Sequence, residues 1–222
     1  MATRRITKKK KNRFREKLLA WYAKHGRKLP WRETADPYHV LVSEIMLQQT
    51  QVNRVIPKYQ EFLKKYPDVK TLAEASEEDV KQTWKPLGYN IRPVRLQTIA
   101  REVQAEYGGQ IPDTPEHLQK LKGIGKYTAA AVSCFGYNKQ VPLVDTNVDR
   151  VLRRVFFGKN ASKTSKEHNT IWDLAASLVP AEQAYDYNQA LMDFGATVCL
   201  ARKPLCLLCP MQEICVAYPL YT

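Results

Sequence analysis

The sequence predicts an all-α protein, and three observations predict it. Apolar residues recur at helical spacing along nearly the whole chain, capping residues and prolines punctuate that spacing, and the alternation of a half-buried strand is almost absent. At 222 residues and 44% apolar, the chain can bury a sizeable core as one large or two small domains. No window approaches 18 uninterrupted apolar residues, and no apolar core or cleavage site follows the basic N-terminus. A soluble, cytoplasmic monomer is expected, without a membrane partner.

The elements follow in order. "NRFREKLLAWYAKHG" (12–26) has helical spacing and ends at Gly26, and Pro30 blocks its continuation. Upstream, residues 1–15 hold eight of the 35 Lys and Arg residues and no acid, so that the net +13 falls to +5 over the rest. The simplest reading of that stretch is a solvated basic tail, compatible with a polyanionic partner but unable to name one. "DPYHVLVSEIMLQQTQVNRVIPKYQEFLKKY" (36–66) opens with Asp36 as cap and Pro37 in the first turn, and is expected to break near Pro57. "SEEDVKQTW" starts with Ser76 three residues before Asp79, an acidic capping box. A helix near 91–107 closes at Gly108 and Gly109, and a short one follows Thr114-Pro115. Further helices fit 126–135, 146–157, 164–178 and 181–196, with no internal repeat or low-complexity linker.

Two stretches carry chemistry. Cys199, Cys206, Cys209 and Cys215 are spaced C-x6-C-x2-C-x5-C, whereas Cys134 sits alone in an apolar helix and reads as a small core residue. Clustered cysteines in a reducing compartment favour metal over disulfides. Thiolate softness alone leaves a tetrahedral zinc and a cubane of iron and sulfide both open. In "LKGIGKYTAAAV" (121–132), Gly123 and Gly125 precede a helix, so bare backbone N–H groups stand at the positive end of its dipole. A phosphate seat and a plain helix-helix turn are both compatible with that pattern. A nucleotide-triphosphate loop is not, because G-x4-G-K-[ST] is incomplete.

The cysteine spacing resembles the C-terminal iron-sulfur loop of the endonuclease III and MutY family of DNA glycosylases. "LKGIGKYTAAAV" with "VDTNVDRV" resembles the helix-hairpin-helix and Asp motif of the same superfamily (HhH-GPD), while "LPWRETADPYHVLVSEIMLQQTQVNRVIPKY" (29–59) and "NQALMDFGATVC" (188–199) are similar to its MutY adenine branch. The resemblance covers about residues 12–218. It implies a two-lobed helix-hairpin-helix glycosylase fold: a six-helix barrel lobe over 29–137, and a second lobe from 1–28 plus 138–222. The four cysteines of 199–215 would hold a 4Fe-4S cluster, and the partner would be double-stranded DNA bearing a mismatched or damaged base. In a prokaryote the protein would associate with the nucleoid.

Glu44 lies on a helix that is apolar nearly all round, and a buried acid is expected to have its pKa raised and to stay protonated near neutrality. It reads either as a buried structural glutamate or, by resemblance, as the general acid that protonates the departing base. Asp145 reads as the N-cap of the helix it opens. By resemblance it also stabilises the oxocarbenium-like sugar, giving with Glu44 a pair of carboxyl groups with separated pKa values. Tyr127 stands where strand-cleaving relatives of the endonuclease III type carry a Schiff-base lysine, so a monofunctional glycosylase is implied. Lys126 points about 100° away along the helix and is assigned to phosphate with Gly123 and Gly125.

A flipped base must be replaced in the stack. By resemblance Gln49, beside Gln48, and Tyr89 wedge into the duplex. Arg27, Leu29, Trp31 and Arg32 would line the base pocket, although Leu29 and Trp31 also fit a core and the arginines a surface. Asn147 belongs to the Asp motif. "QQTQV" with Tyr127 implies removal of adenine opposite 8-oxoguanine or guanine. Three departures weaken that implication: Asp193 for the usual glutamate near the adenine, "VDTNV" for "VDGNV", and little chain beyond the cluster loop; a compact relative acting on thymine or uracil opposite guanine shares Tyr127 and "LMDF" but lacks the QQT pair. A third reading is a non-catalytic binder of mismatched DNA, but each catalytic position holds a competent residue.

Overall fold

The structure is a computed structural model that describes residues 6–88, 91–158 and 165–218, with the backbone alone at 165–168. All regular structure among the described residues is helical. The helices are α1 (Lys8–His25), α2 (Pro37–Leu47), α3 (Val52–Lys65), α4 (Val69–Glu74), α5 (Glu77–Trp84), α6 (Ile91–Tyr107), α7 (Pro115–Leu118), α8 (Lys126–Tyr137), α9 (Thr146–Phe156), α10 (Ser165–Leu178) and α11 (Ala184–Thr197). Single 3-10 turns occupy Pro30–Arg32, Lys85–Leu87 and Cys206–Leu208. No helix among the described residues is long and apolar enough to cross a membrane.

The chain divides into two compact units, Lys28–Lys139 and Met1–Arg27 with Gln140–Thr222. In the first, α2 packs on α8, and α6 packs on α4 and α5. Val42, Ile45, Met46, Phe62, Trp84, Leu96, Ile99 and Val132 are wholly enclosed there. Burying a side chain of that size contributes roughly 1.5–3 kcal/mol. Gly136 permits the close approach of α8 to α2, since a Cβ there would stand 2.8 Å from the Cα of Pro37. In the second unit α1 and α9 pack against α11 around Phe14, Leu18, Val151, Leu152, Tyr187, Leu191 and Phe194.

Two expectations require correction. The segment 36–66 does not break near Pro57, which lies inside α3; the break falls at 48–51, where Gln49 takes a left-handed φ of 55°. The lost N–H of Pro57 is outweighed by the buried face of Val55, Tyr59 and Phe62, and α2 is ended instead by a side chain distant in sequence. The basic tail is not simply solvated: α1 begins at Lys8 with Thr7 as its cap. Lys10 donates to the carbonyl of Val155 at 2.9 Å, Lys11 to Ser177 at 2.8 Å, and Arg13 pairs with Glu213. Its Arg4 and Arg5 lie outside the described residues. The six residues of α4 are too few to display a helical period in the sequence, although Asp68 caps them by accepting from the N–H of Thr71 at 2.7 Å.

Candidate active site and cluster loop

α2 is capped by Asp36, which accepts from the N–H groups of Tyr38 and His39, and seven of its other residues from Tyr38 to Met46 are buried around Glu44. Glu44 itself is 7% exposed, so its carboxyl group is the acidic one that this helix encloses. One turn on, Gln48 caps α2 and is half-buried, while Gln49 is exposed at its left-handed position. That conformation is uncommon for a residue other than glycine and holds only where the surroundings dictate it. Tyr89 lies outside the described residues; Gly88 before it has φ 71°.

Two glycines shape the turn before α8. Gly123 has φ 100°, and a Cβ on it would fall 2.5 Å from the Cδ of Arg95, so both backbone and packing exclude a side chain. Gly125 is the N-cap of α8, has no side-chain cap bond, and would place a Cβ in open space. Gly123, Gly125 and Lys126 are exposed and Tyr127 is half-buried on the first turn. An uncapped, exposed helix start of twelve residues is suited to a phosphate oxygen.

Asp145 caps α9. One carboxylate oxygen accepts from the N–H of Val148 at 2.7 Å and the other from the amide of Asn147 at 2.9 Å, leaving the group half-buried with both oxygens fixed. The Asn147 carbonyl in turn accepts from Arg150 at 2.8 Å, and Arg150 also donates to the carbonyls of Gly195 and Cys199 at 2.7 and 2.8 Å. Gly195 makes this approach possible, because a Cβ there would lie 2.7 Å from that of Asn147. The preceding segment is held by the buried Asn188, which donates to Val141 and accepts from the N–H of Leu143.

Two residues assigned separately from the sequence are joined by the structure. Asp193 is fully enclosed and accepts from the backbone N–H of Arg27 at 2.9 Å and from its guanidinium at 2.7 Å. Leu29 and Trp31 are buried, Trp31 edge-on to Tyr59, and Arg32 is half-buried.

Cys199, Cys206, Cys209 and Cys215 line one apolar cavity with Val155, Phe194 and Val198. None of the four is in a disulfide. Arg154 donates to the Cys199 sulfur at 3.5 Å and to the carbonyls of Leu200 and Ala201 at 2.6 and 3.0 Å, so cations brace the loop at its entry. No group of three metal-ligating side chains among the described residues is arranged for a single ion. A cubane takes one thiolate per iron and spreads its ligands further apart, and four thiols around one apolar cavity fit that donor set.

Sequence reasoning missed Arg92, Arg150 and Asn188. Each acts through backbone carbonyls or amides distant in sequence, and a lone polar residue inside a helix carries no local signal of that. Arg92 is 4% exposed and binds the end of α2.

Residues 42–177 match the HhH-GPD superfamily of base excision DNA repair proteins, and residues 199–215 match the iron-sulfur binding domain of endonuclease III. The chain is 46% identical over 215 residues to an adenine DNA glycosylase of Mus musculus, covering 92% of the chain but 42% of that protein, and so spans less than half its length. It is 39% identical over 209 residues to a thymine-DNA glycosylase of Aeropyrum pernix, covering 92% of the chain and 94% of that protein. The fold superposes on a thermostable thymine-DNA glycosylase with a TM-score of 0.90 at 36% identity, covering 96% of this chain and 98% of that one.

Proposed function

We propose the function from one premise: the chain belongs to the HhH-GPD superfamily of base excision DNA repair proteins. It is a monofunctional DNA glycosylase that hydrolyses the N-glycosidic bond of adenine opposite 8-oxoguanine or guanine, in the compartment that holds the DNA. The observation that carries this reading is Glu44, a carboxylic acid enclosed by an apolar helix one turn from the exposed Gln49. The 46% identity to the murine adenine glycosylase supports the choice of base.

In this account the DNA backbone is anchored at the Gly123–Lys126 turn, and Gln49 and Tyr89 fill the gap left by the flipped adenine. Arg27, Leu29, Trp31 and Arg32 receive the base. Glu44 donates a proton to its imidazole ring, and the bond to the sugar breaks with its electron pair moving onto the base. The positive charge left on the sugar is stabilised by Asp145, whose oxygens Val148 and Asn147 hold in place. Water adds its hydroxide to the sugar carbon and its proton replaces the one lost by Glu44, leaving an abasic site and free adenine. Tyr127 offers no amine, so no Schiff base forms and the strand stays intact. Cys199, Cys206, Cys209 and Cys215 would hold a 4Fe-4S cluster, which when bound would supply iron-thiolate bonds that close the 199–215 loop.

The second reading, thymine or uracil opposite guanine, rests on Asp193 and on the 39% identity to the thymine-DNA glycosylase of Aeropyrum pernix. Treating duplexes that carry A:8-oxoguanine, A:G, G:T and G:U with the protein and then with hot alkali separates the readings. Strand breaks at adenine support the first, breaks at thymine or uracil the second, and intact strands throughout point to a non-catalytic binder.

A further inference from the structure

The end of α2 and the turn after α5 are tied together by one buried side chain. Arg92, near the start of α6, sends one guanidinium nitrogen to the carbonyls of Ile45, Met46 and Gln48 at 3.2, 2.8 and 2.5 Å. Its other terminal nitrogen reaches the Thr50 hydroxyl at 3.0 Å and the carbonyls of Leu87 and Gly88 at 3.4 and 3.2 Å. The group stacks over Trp84 at 5.5 Å. Arg54 adds a second tie by donating to the carbonyl of Pro86 at 2.7 Å.

The carbonyls that close a helix have no partners within it and carry its negative dipole end, which makes them good acceptors for a buried cation. A planar guanidinium projects donors in two directions and can satisfy both turns at once, whereas the point charge of a lysine cannot. Both turns contain a residue at positive φ: Gln49 at 55°, itself given duplex intrusion by the proposed function, and Gly88 at 71°, next in sequence to the other such residue, Tyr89. A segment that enters a base stack only after ordering itself adds its ordering entropy to the work of unstacking, and a preformed one does not.

Resting on the glycosylase reading, we propose that Arg92 is a positioning residue: it locks the Gln48–Thr50 turn and the Leu87–Gly88 turn into one preformed wedge that unstacks the target base. It touches neither the base nor the sugar. Its effect therefore depends on whether the base has to be taken out of a stack.

The test compares unmodified protein, Arg92→Lys and Thr50→Val on two DNAs: an A:8-oxoguanine duplex, and a duplex whose target adenine already lies unpaired in a bulge. Unstacking is followed independently by the fluorescence of 2-aminopurine beside the target. Arg92→Lys is expected to slow single-turnover excision from the paired duplex by roughly 10- to 100-fold, as misplaced geometry remote from the reacting atoms does. The 2-aminopurine signal falls with it, and bulge excision changes by less than about three-fold. Thr50→Val, which removes one acceptor and keeps the buried cation, gives a smaller loss with the same substrate dependence and serves where Arg92→Lys does not fold. Equal losses on both DNAs, or full unstacking by both variants, overturn the proposal. Failure of the glycosylase reading looks different: the unmodified protein releases no base from either DNA, while the fluorescence arm still decides whether Arg92 supports unstacking.

Discussion

At Tyr127 a phenol stands half-buried on the first turn of α8, next to an exposed Lys126. Borohydride added during turnover is expected to trap no protein-DNA adduct, whereas Tyr127→Lys is expected to give a trappable Schiff base and some strand cleavage. Efficient trapping by the unmodified protein would mean that another amine reaches the sugar. Asp193 calls for a different experiment. Its carboxylate is fully enclosed and bonded to Arg27 through both oxygens, so Asp193→Asn, whose neutral amide keeps only one acceptor oxygen for those bonds, should lower stability by about 1–3 kcal/mol, read as a shifted denaturant midpoint. An unchanged midpoint would show that the pair contributes nothing to the fold. The burial of Glu44 was legible from the apolar residues around it on one helix. The Arg27–Asp193 pair was not, since the partners are 166 positions apart and each alone reads as a surface or pocket charge.

Caps decided which elements could be read from sequence. Asp36, Ser76, Thr114 and Asp145 each accept from a first-turn N–H, as their positions before apolar periodic stretches suggest. The division of 36–66 between α2 and α3 could not be read, because α2 ends on the guanidinium of Arg92, 44 positions beyond Gln48, and proline is only the local signal. For α9 the cap and the proposed chemistry share one carboxylate, and two substitutions separate them. Asp145→Asn keeps the cap bond from Val148 but gives up the one from the Asn147 amide, so it should cost less stability than Asp145→Ala while excision is lost. Asp145→Ala should lose excision and about 1 kcal/mol as well. Thermal unfolding beside single-turnover assays checks both, and an active Asp145→Asn protein would leave this residue as a cap alone.

For the molecule as a whole, the charge of +13 is only partly a free surface, since Lys10, Lys11 and Arg13 are engaged in holding α1 to its own unit. The remaining cations should make DNA affinity fall steeply with salt, through release of condensed counterions. The cluster loop makes a second demand on the unit that holds it. The purified protein should be yellow-brown with about four irons per chain, and Cys206→Ser should lose iron and DNA affinity while far-UV circular dichroism shows the helices retained. A colourless protein prepared without air and containing one zinc would contradict the cluster. The central claim, that this fold exists to bring an enclosed carboxylic acid to a flipped base, is tested most directly by Glu44→Gln. Single-turnover release of adenine from an A:8-oxoguanine duplex is measured beside unmodified protein, with both saturating the DNA. The amide keeps the shape of the side chain but has no proton to give, so release should slow by about 10²- to 10⁴-fold at unchanged DNA affinity. Release within about two-fold of the unmodified rate would contradict the account.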